Sequence, residues 1–406
     1  MKVLIIGGGA SGLMAALSAA EEGYAVTLVE RQGRVGRKLL ATGNGRCNLT
    51  NTGADSPRYH GAAPAFVRPA LARFGVRRTL EFFRTLGLLT VEEADGKVYP
   101  LSDQASSVLD VLRFAVEQRG VQIAGSCDSV EVKKKARGYE AIAATGEKFF
   151  GDKLIICCGG CAGKRLGGVK SGYFLLGQLG HRCTALYPSL TQIKTDPTWV
   201  KALKGIRADA QLSLRRGGVV LQEEAGEIQF TDFGVSGPVA FALSRAAATG
   251  GEGLRLVLDF FRGYGAPELA AFFRARRESF PALPAEELLS GSLQSRLGKT
   301  LLKRAGVAAG GTLGAVTDAE IEKLCNLAKH FPLEVLGVMG FDSAQVTAGG
   351  MDVSEFRADT LESCLAPGVF AAGEVLDIDG DCGGFNLQWA WSSGYVAGKA
   401  GKIEAI

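Results

Sequence analysis

Val3-Leu4-Ile5-Ile6 is an unbroken apolar run, the pattern of a parallel strand buried on both faces. Ala10 to Glu22 follows with apolar residues at helical spacing and stops at Gly23. Ala25 to Val29 is a second short apolar run, ending in Glu30. The pattern predicts a strand, a helix and a second parallel strand.

Further along, Phe66 to Leu86 carries an apolar stripe and predicts one helix, and Ala105 to Gln118 predicts another. Val121 to Val132 and Tyr139 to Ala144 alternate well enough to be paired strands. Lys153 to Cys158 is another buried strand, running into Gly159-Gly160, and Ser171 to Gly180 reads as helix. From about Leu190 the texture changes to short alternating segments: Gln211 to Leu214, Val219 to Gln222, Ile228 to Phe230 and Leu254 to Asp259. Pro267 to about Phe331 is predicted to be helical. Near Gln345 the first texture returns, with a strand, an acidic glycine loop and a closing helix.

These changes predict an α/β protein: a three-layer, Rossmann-like nucleotide-binding domain split in sequence, residues 1–187 and 341–406. An insertion at 188–340 interrupts it, with an antiparallel, β-barrel-like part over about 188–262 and a helical part over 263–340.

Composition adds little to that outline. The chain has 406 residues, 47% hydrophobic and 22% charged, as befits a large buried core in two or three domains. Its 56 glycines are about twice average usage and predict many tight turns and close backbone approaches. A net charge of +4 permits an anionic ligand or an RNA partner without arguing for either. Nine scattered cysteines suit reduced thiols in a cytoplasm better than a disulfide framework. Cys157, Cys158 and Cys161 lack a nearby fourth ligand, so no metal is expected. No run reaches the ~20 apolar residues of a membrane span, so a soluble, cytoplasmic protein is expected.

The chemistry starts between the first two strands. Gly7, Gly9 and Gly12 form G-x-G-x-x-G, with Ala10 and Ser11 opening the helix. Gly7 would make the tight turn, Gly9 would let backbone approach a pyrophosphate, and Gly12 would let helix pack on strand. The free N–H groups of the helix N-terminus favour phosphate. Glu30, eighteen residues beyond Gly12, stands where a ribose-binding carboxylate belongs and favours an unphosphorylated ribose, as in FAD or NAD. Next comes GRVGRKLLATGNGRCNLTN, Gly33 to Asn51, which puts Arg34, Arg37, Lys38 and Arg46 beside that pyrophosphate site. The alternative for this segment is a solvated basic loop. Gly159-Gly160-Cys161-Ala162-Gly163 has the wrong glycine spacing for a second such unit, so a dedicated NAD(P)H domain is not expected.

Five motifs carry a resemblance over essentially the whole chain: GGGASG at 7–12, KLLATGNGRCNLTN at 38–51, VYPLSDQASSVLDVL at 98–112, EIQFTDFGVSGP at 227–238 and GEVLDIDGDCGGFNLQWA at 373–390. With these motifs the chain resembles the BaiN/RdsA (YhiN-like) family of FAD-dependent oxidoreductases. The resemblance implies a split FAD domain with an inserted β-and-helical unit, and FAD held between the early loops and the late one. It implies cofactor contacts from Arg31, Lys38, Gly43, Asn44, Gly45, Arg46, Cys47 and Asn48, and from Val130 and Gly159. On the late loop it implies Gly373, Glu374, Asp377, Gly383, Gly384, Phe385, Asn386 and Leu387. Two positions depart from the family pattern: Asp232 stands where many members have His, and Phe385 where many have Tyr.

The resemblance further implies hydride transfer from reduced flavin, itself reduced by NAD(P)H. The leading expectation is reduction of a conjugated C=C bond in a 3-oxo bile-acid or steroid enone. The alternatives are reduction of a uracil C5=C6 bond in large-subunit (23S) ribosomal RNA and oxidation of a small amine such as aminoacetone. A non-catalytic flavin sensor is a further class. Basic clusters at Arg215-Arg216, Arg274 to Arg277 and Lys299 to Arg304 would serve an RNA partner, or are the solvated faces of helices. Cys47 is a candidate general acid, against the alternative of a packed loop residue. Asp232 is a second candidate, with capping of the Gly234–Gly237 turn the preferred reading.

Overall fold

A computed structural model describes residues 1–402; the last four residues of the expected 341–406 segment lie outside the described residues. The chain divides into two compact units, Met1–Tyr187 together with the chain from Gln345 onward, and Pro188–Ala344.

The first unit is built on five parallel strands. β1 (Lys2–Ile6) lies in the middle, between β2 (Ala25–Val29) and Lys153–Ile156. Gln122–Ala124 extends the sheet beyond β2, and Val369–Ala371 extends it beyond Lys153–Ile156. Burial on both faces explains the unbroken apolar runs: Leu4, Ile5, Leu154, Ile155 and Phe370 are all fully buried. One face carries α1 (Ala10–Glu21), whose residues Ser11 to Ala19 are all buried. The other face carries an antiparallel sheet of Ser129–Lys134, Tyr139–Ala143 and Lys148–Gly151. It comes so close to β1 that a Cβ on Gly151 would stand 2.6 Å from the Leu4 Cβ.

The last helix, Phe385–Gly398, runs parallel to α1 along a seam of small residues. A Cβ on Gly394 would collide with the Ser11 carbonyl, and one on Gly398 would come within 2.5 Å of the Ala15 carbonyl. Ser18 Oγ donates to the Tyr395 carbonyl across the same seam at 2.7 Å. The chain segments on either side of the insertion are thus joined backbone to backbone.

The second unit is a closed six-stranded antiparallel barrel, in the order Ile193–Thr195, Gly234–Ser236, Val219–Phe230, Arg207–Arg216, Leu254–Asp259 and Phe331–Val338. Phe331–Val338 pairs back onto Ile193–Thr195 and closes it. Leu212, Leu214, Phe230, Leu256, Leu258 and Phe331 are fully buried in its core.

Several elements differ from the sequence expectation. The segment expected to be helical over 263–340 holds helices at Ala266–Ser279, Ser295–Ala305 and Asp318–Lys329, but ends in the barrel's closing strand. The expected β part contains the helix Pro238–Thr249. The single helix expected over Phe66 to Leu86 is two, Arg68–Arg73 and Val76–Thr85, broken at Phe74 and Gly75. Val121 to Val132 serves two sheets: Gln122–Ala124 joins the parallel sheet, and only Ser129–Lys134 pairs with Tyr139–Ala143.

Candidate functional site

The three glycines of the first loop do three different jobs. Gly7 has φ +103°, and any Cβ there would strike the Cys157 carbonyl. A Cβ on Gly12 would strike the Gly7 carbonyl, so helix and turn touch through bare backbone. At Gly9 a Cβ would meet nothing within 4 Å. Gly9 caps α1 with no side-chain hydrogen bond, and the first turn, Ala10 to Gly12, carries no acid. The helix therefore presents uncapped N–H groups and its positive end to open space.

Glu30 ends β2 beside this loop. One carboxylate oxygen accepts from Gly8 N–H and the other from Gln32 N–H, each at 2.7 Å. Arg31 reaches the Gly167 carbonyl at 3.3 Å. Gly159 has φ +69° with no atom in the way of a Cβ, whereas Gly160 is pressed against Thr347 and Glu374. Val130 is 43% exposed at a bulge in the antiparallel sheet, and its carbonyl accepts from Gln178.

The GNGRCN segment explains its own composition. Gly43, Asn44, Gly45 and Cys47 all have φ between +56° and +87°, the left-handed region that Gly and Asn tolerate best. Cys47 turns inward and has no exposed surface, while Asn44 is exposed. Burial pushes the Cys47 thiol up to about 12.

Arg46 is committed elsewhere. Its guanidinium pairs with Glu93 at 2.5 Å and with Asp103, and lies 4.1 Å from the centre of the Tyr99 ring. These partners, Glu93 first, hold it firmly protonated. It is an exposed brace between loops rather than a cation free for a pyrophosphate. Lys38 instead turns to Glu374, at 2.7 Å, and Glu374 also accepts from Thr347 N–H at 2.8 Å.

The late loop meets both early ones. Gly373 has φ +79°, and a Cβ there would lie 2.6 Å from Ser11 Oγ, so the Gly-Glu pair abuts the start of α1. Gly384 packs so tightly on the Thr50 carbonyl that only glycine fits. With its amide turned so that both ends find partners, Asn48 bridges the two segments, donating to the Thr50 carbonyl at 3.0 Å and accepting from Gly384 N–H at 3.3 Å. Asn51 donates to the Gly383 carbonyl at 2.9 Å. Asn386 clamps Gly380, accepting its N–H and donating to its carbonyl at 2.8 Å each. Asp377 is buried and accepts from Ala62 N–H at 3.2 Å. Phe385 is buried edge-on to Tyr59, and Leu387 is half-buried. The helix that Phe385 starts has Gly384 in a left-handed cap, no side-chain cap and no acid in its first turn.

Sequence reasoning missed the residues that hold these loops in place. Gln388 is fully buried, accepts from Thr50 Oγ1 and donates to Thr79, Ser392 and the Phe74 carbonyl. Its place in the GGFNLQ motif was the available signal. Thr347 and Tyr173 were also missed; the Tyr173 hydroxyl is buried beside Thr347 and Glu374.

Asp232 belongs to the barrel unit. It pairs with Lys204 at 2.9 Å, which holds its carboxyl below the usual range, so it is neither a turn cap nor a stored proton. Among the described residues no group of His, Cys, Asp and Glu could hold a metal ion, and no helix is long and apolar enough to cross a membrane.

Residues 1–400 match the family described as HI0933-like protein Rossmann domain. The chain belongs to the HI0933-like family. Within reach of this family member is the 3-dehydro-bile acid delta(4,6)-reductase of Clostridium scindens, 40% identical over 404 residues, 98% of each chain. The ribosomal RNA dihydrouridine synthase of Escherichia coli K12 is 27% identical, covering 97% of this chain and 96% of that one. The protein of the same name from Haemophilus influenzae is 26% identical over similar spans.

Proposed function

We propose that this HI0933-like chain is a flavin-dependent oxidoreductase that binds FAD across the three loops. Its reaction is reduction of a C=C bond conjugated to a carbonyl, in a 3-oxo bile-acid or steroid enone, with NAD(P)H as reductant. The observation that carries the substrate class is 40% identity, end to end, to a relative named for that reaction.

The fold fits such a cofactor. The open space at Gly9 and the uncapped start of α1 together suit an anionic ligand. Gly7, Gly9, Ala10, Ser11 and Gly12 would take the pyrophosphate, with Glu30 and Arg31 toward the ribose. Lys38, Glu374 and Asp377 would take the middle of the molecule. Asn44, Gly45, Asn48, Gly383, Gly384, Asn386 and Leu387 would flank the ring. Bound there, FAD supplies hydride to the β-carbon of the conjugated system.

The chain's own contribution is placement. The Asn48 bridge and the Gln388 network fix the early loop against the late one, so a ring between them meets walls that do not shift. The uncapped helix starting at Phe385 offers positive potential where negative charge collects on a reduced ring.

The test is anaerobic. The purified protein, reduced with NAD(P)H, is mixed with a 3-oxo dienone bile acid or with large-subunit rRNA lacking dihydrouridine. Rapid return of the oxidised spectrum with the dienone alone supports the reading. Return with the RNA alone replaces it by uracil reduction, which the 27% identical relative keeps as the second reading. A colourless protein that takes up no FAD ends both.

A further inference from the structure

An ene reduction needs a proton as well as a hydride, and neither residue considered from the sequence offers one. Cys47 is sealed and its thiol pushed up to about 12; Asp232 is an ion-paired carboxylate in the barrel unit. The protein has three histidines. His181 has no exposed side-chain surface and lies between Glu355 and Ser363. His330 sits in the barrel unit on its neighbour Asn326.

His60 is placed differently. It lies in a two-residue strand, Tyr59–His60, paired antiparallel with Asp379–Gly380 of the late acidic loop. The backbone on both sides is fastened. Asp381 N–H donates to the Arg58 carbonyl at 3.0 Å, Ala62 N–H to Asp377, and Gly61 packs against the Asp377 carbonyl with φ +135°. The imidazole Nε2 stands 2.7 Å from Asp381 Oδ1, and the side chain is 35% exposed. Arg58 holds the other Asp381 oxygen at 3.4 Å and lies over the Phe385 ring. The charged groups at the imidazole are Asp381 and, through it, Arg58, while Asp379 is opposite His60 in the strand pairing and Asp377 accepts from Ala62 N–H.

We propose that His60 is the proton donor of the reduction and that Asp381 is its positioning residue. The inference rests on the functional reading above. As hydride adds to the β-carbon, the C=C electrons move onto the carbonyl and form an enolate. The enolate takes a proton at its α-carbon from the His60 imidazolium, and water reprotonates the neutral imidazole left behind. A partly exposed histidine suits that recharging, because water reaches the ring that must take up the next proton.

The experiment compares the FAD-bound wild type with His60→Gln and Asp381→Asn. The visible spectrum reports FAD content, and anaerobic reoxidation by the dienone in D2O reports rate and the stereochemistry of α-deuteration. Proton NMR follows the His60 ring against pH in the wild type and in Asp381→Asn. Expected are unchanged FAD content, reoxidation slowed by about 100-fold in His60→Gln, loss of one-sided deuteration, and a His60 titration displaced by Asp381→Asn. Reoxidation within threefold of wild type with deuteration still one-sided overturns the role of His60. A His60 ring that does not titrate between pH 4 and 9 also overturns it, without any appeal to turnover. If the wild type is not reoxidised by the dienone, the functional reading is what has failed.

Discussion

The glycines of the cofactor loops and those of the barrel's long hairpin are the same residue used for opposite reasons. At Gly384 and Gly394 an added methyl group would collide with backbone carbonyls of another segment, and at Gly12 with the Gly7 carbonyl of its own turn. At Gly217 and Gly218, the turn between Arg207–Arg216 and Val219–Phe230, it would meet nothing within 4 Å. The barrel is held by buried aliphatic and aromatic side chains, and its turns only have to reverse the chain. The split unit has an apolar core too, but adds to it backbone pressed on backbone and buried polar ties. Local sequence describes a hairpin adequately, but a close approach involves a second segment hundreds of residues away.

The sharpest way to break this contrast is Gly12→Ala. The Gly7 backbone cannot give way as a flexible side chain could, so a loss of about 3 kcal/mol and of bound FAD is expected. A melting temperature near wild type would show the approach to be looser than described. Gln388→Leu should follow, at about 2 to 3 kcal/mol, since Thr50, Thr79 and the Phe74 carbonyl lose a buried partner together. Denaturant midpoints of the variant against wild type check it.

His181 tests a buried tie through pH. Desolvation lowers its proton affinity from the ordinary 6.5, against the opposing pull of Glu355. The unfolded chain then binds the proton first, so stability should fall as pH drops below about 6.5. His181→Gln should flatten that slope, and thermal melts between pH 5 and 8 would show it. At Gly9 alanine is expected to change stability by less than about 0.5 kcal/mol yet weaken FAD binding, which fluorescence titration of the apoprotein would measure. Equal affinity would place the ligand away from that open space. Gly218→Ala should do least, neutral or slightly stabilising by about 0.5 kcal/mol.

The same contrast explains what could be read in advance. The β-α-β start was legible because its signals are local: an apolar run, spaced glycines and a helix within thirty residues. The barrel's last strand was not, since Phe331–Val338 follows directly on a helix ending at Lys329, and its partner Ile193–Thr195 lies far back in the chain. In the early loop, abundant Gly and Asn announced unusual backbone, and the backbone is left-handed at four positions. The side-chain fates stayed hidden. Arg46 is claimed by Glu93 and Asp103, which nothing nearby in sequence reveals, and Cys47 is fully buried in a loop whose composition reads as polar. Gln388 sat in plain view in its motif, but three of its four partners, Thr50, Phe74 and Thr79, lie more than 300 residues back in the chain.

The seam of Gly394 and Gly398 against α1 also bears on how the molecule is made. The helix that pairs with α1 is synthesised more than 350 residues after it. Until then the apolar flank of α1 has no mate, and closing so long a loop slows folding. Synthesis therefore passes through a stage in which the barrel can already be complete while the nucleotide fold stays open, exposed to aggregation and dependent on whatever shelters it.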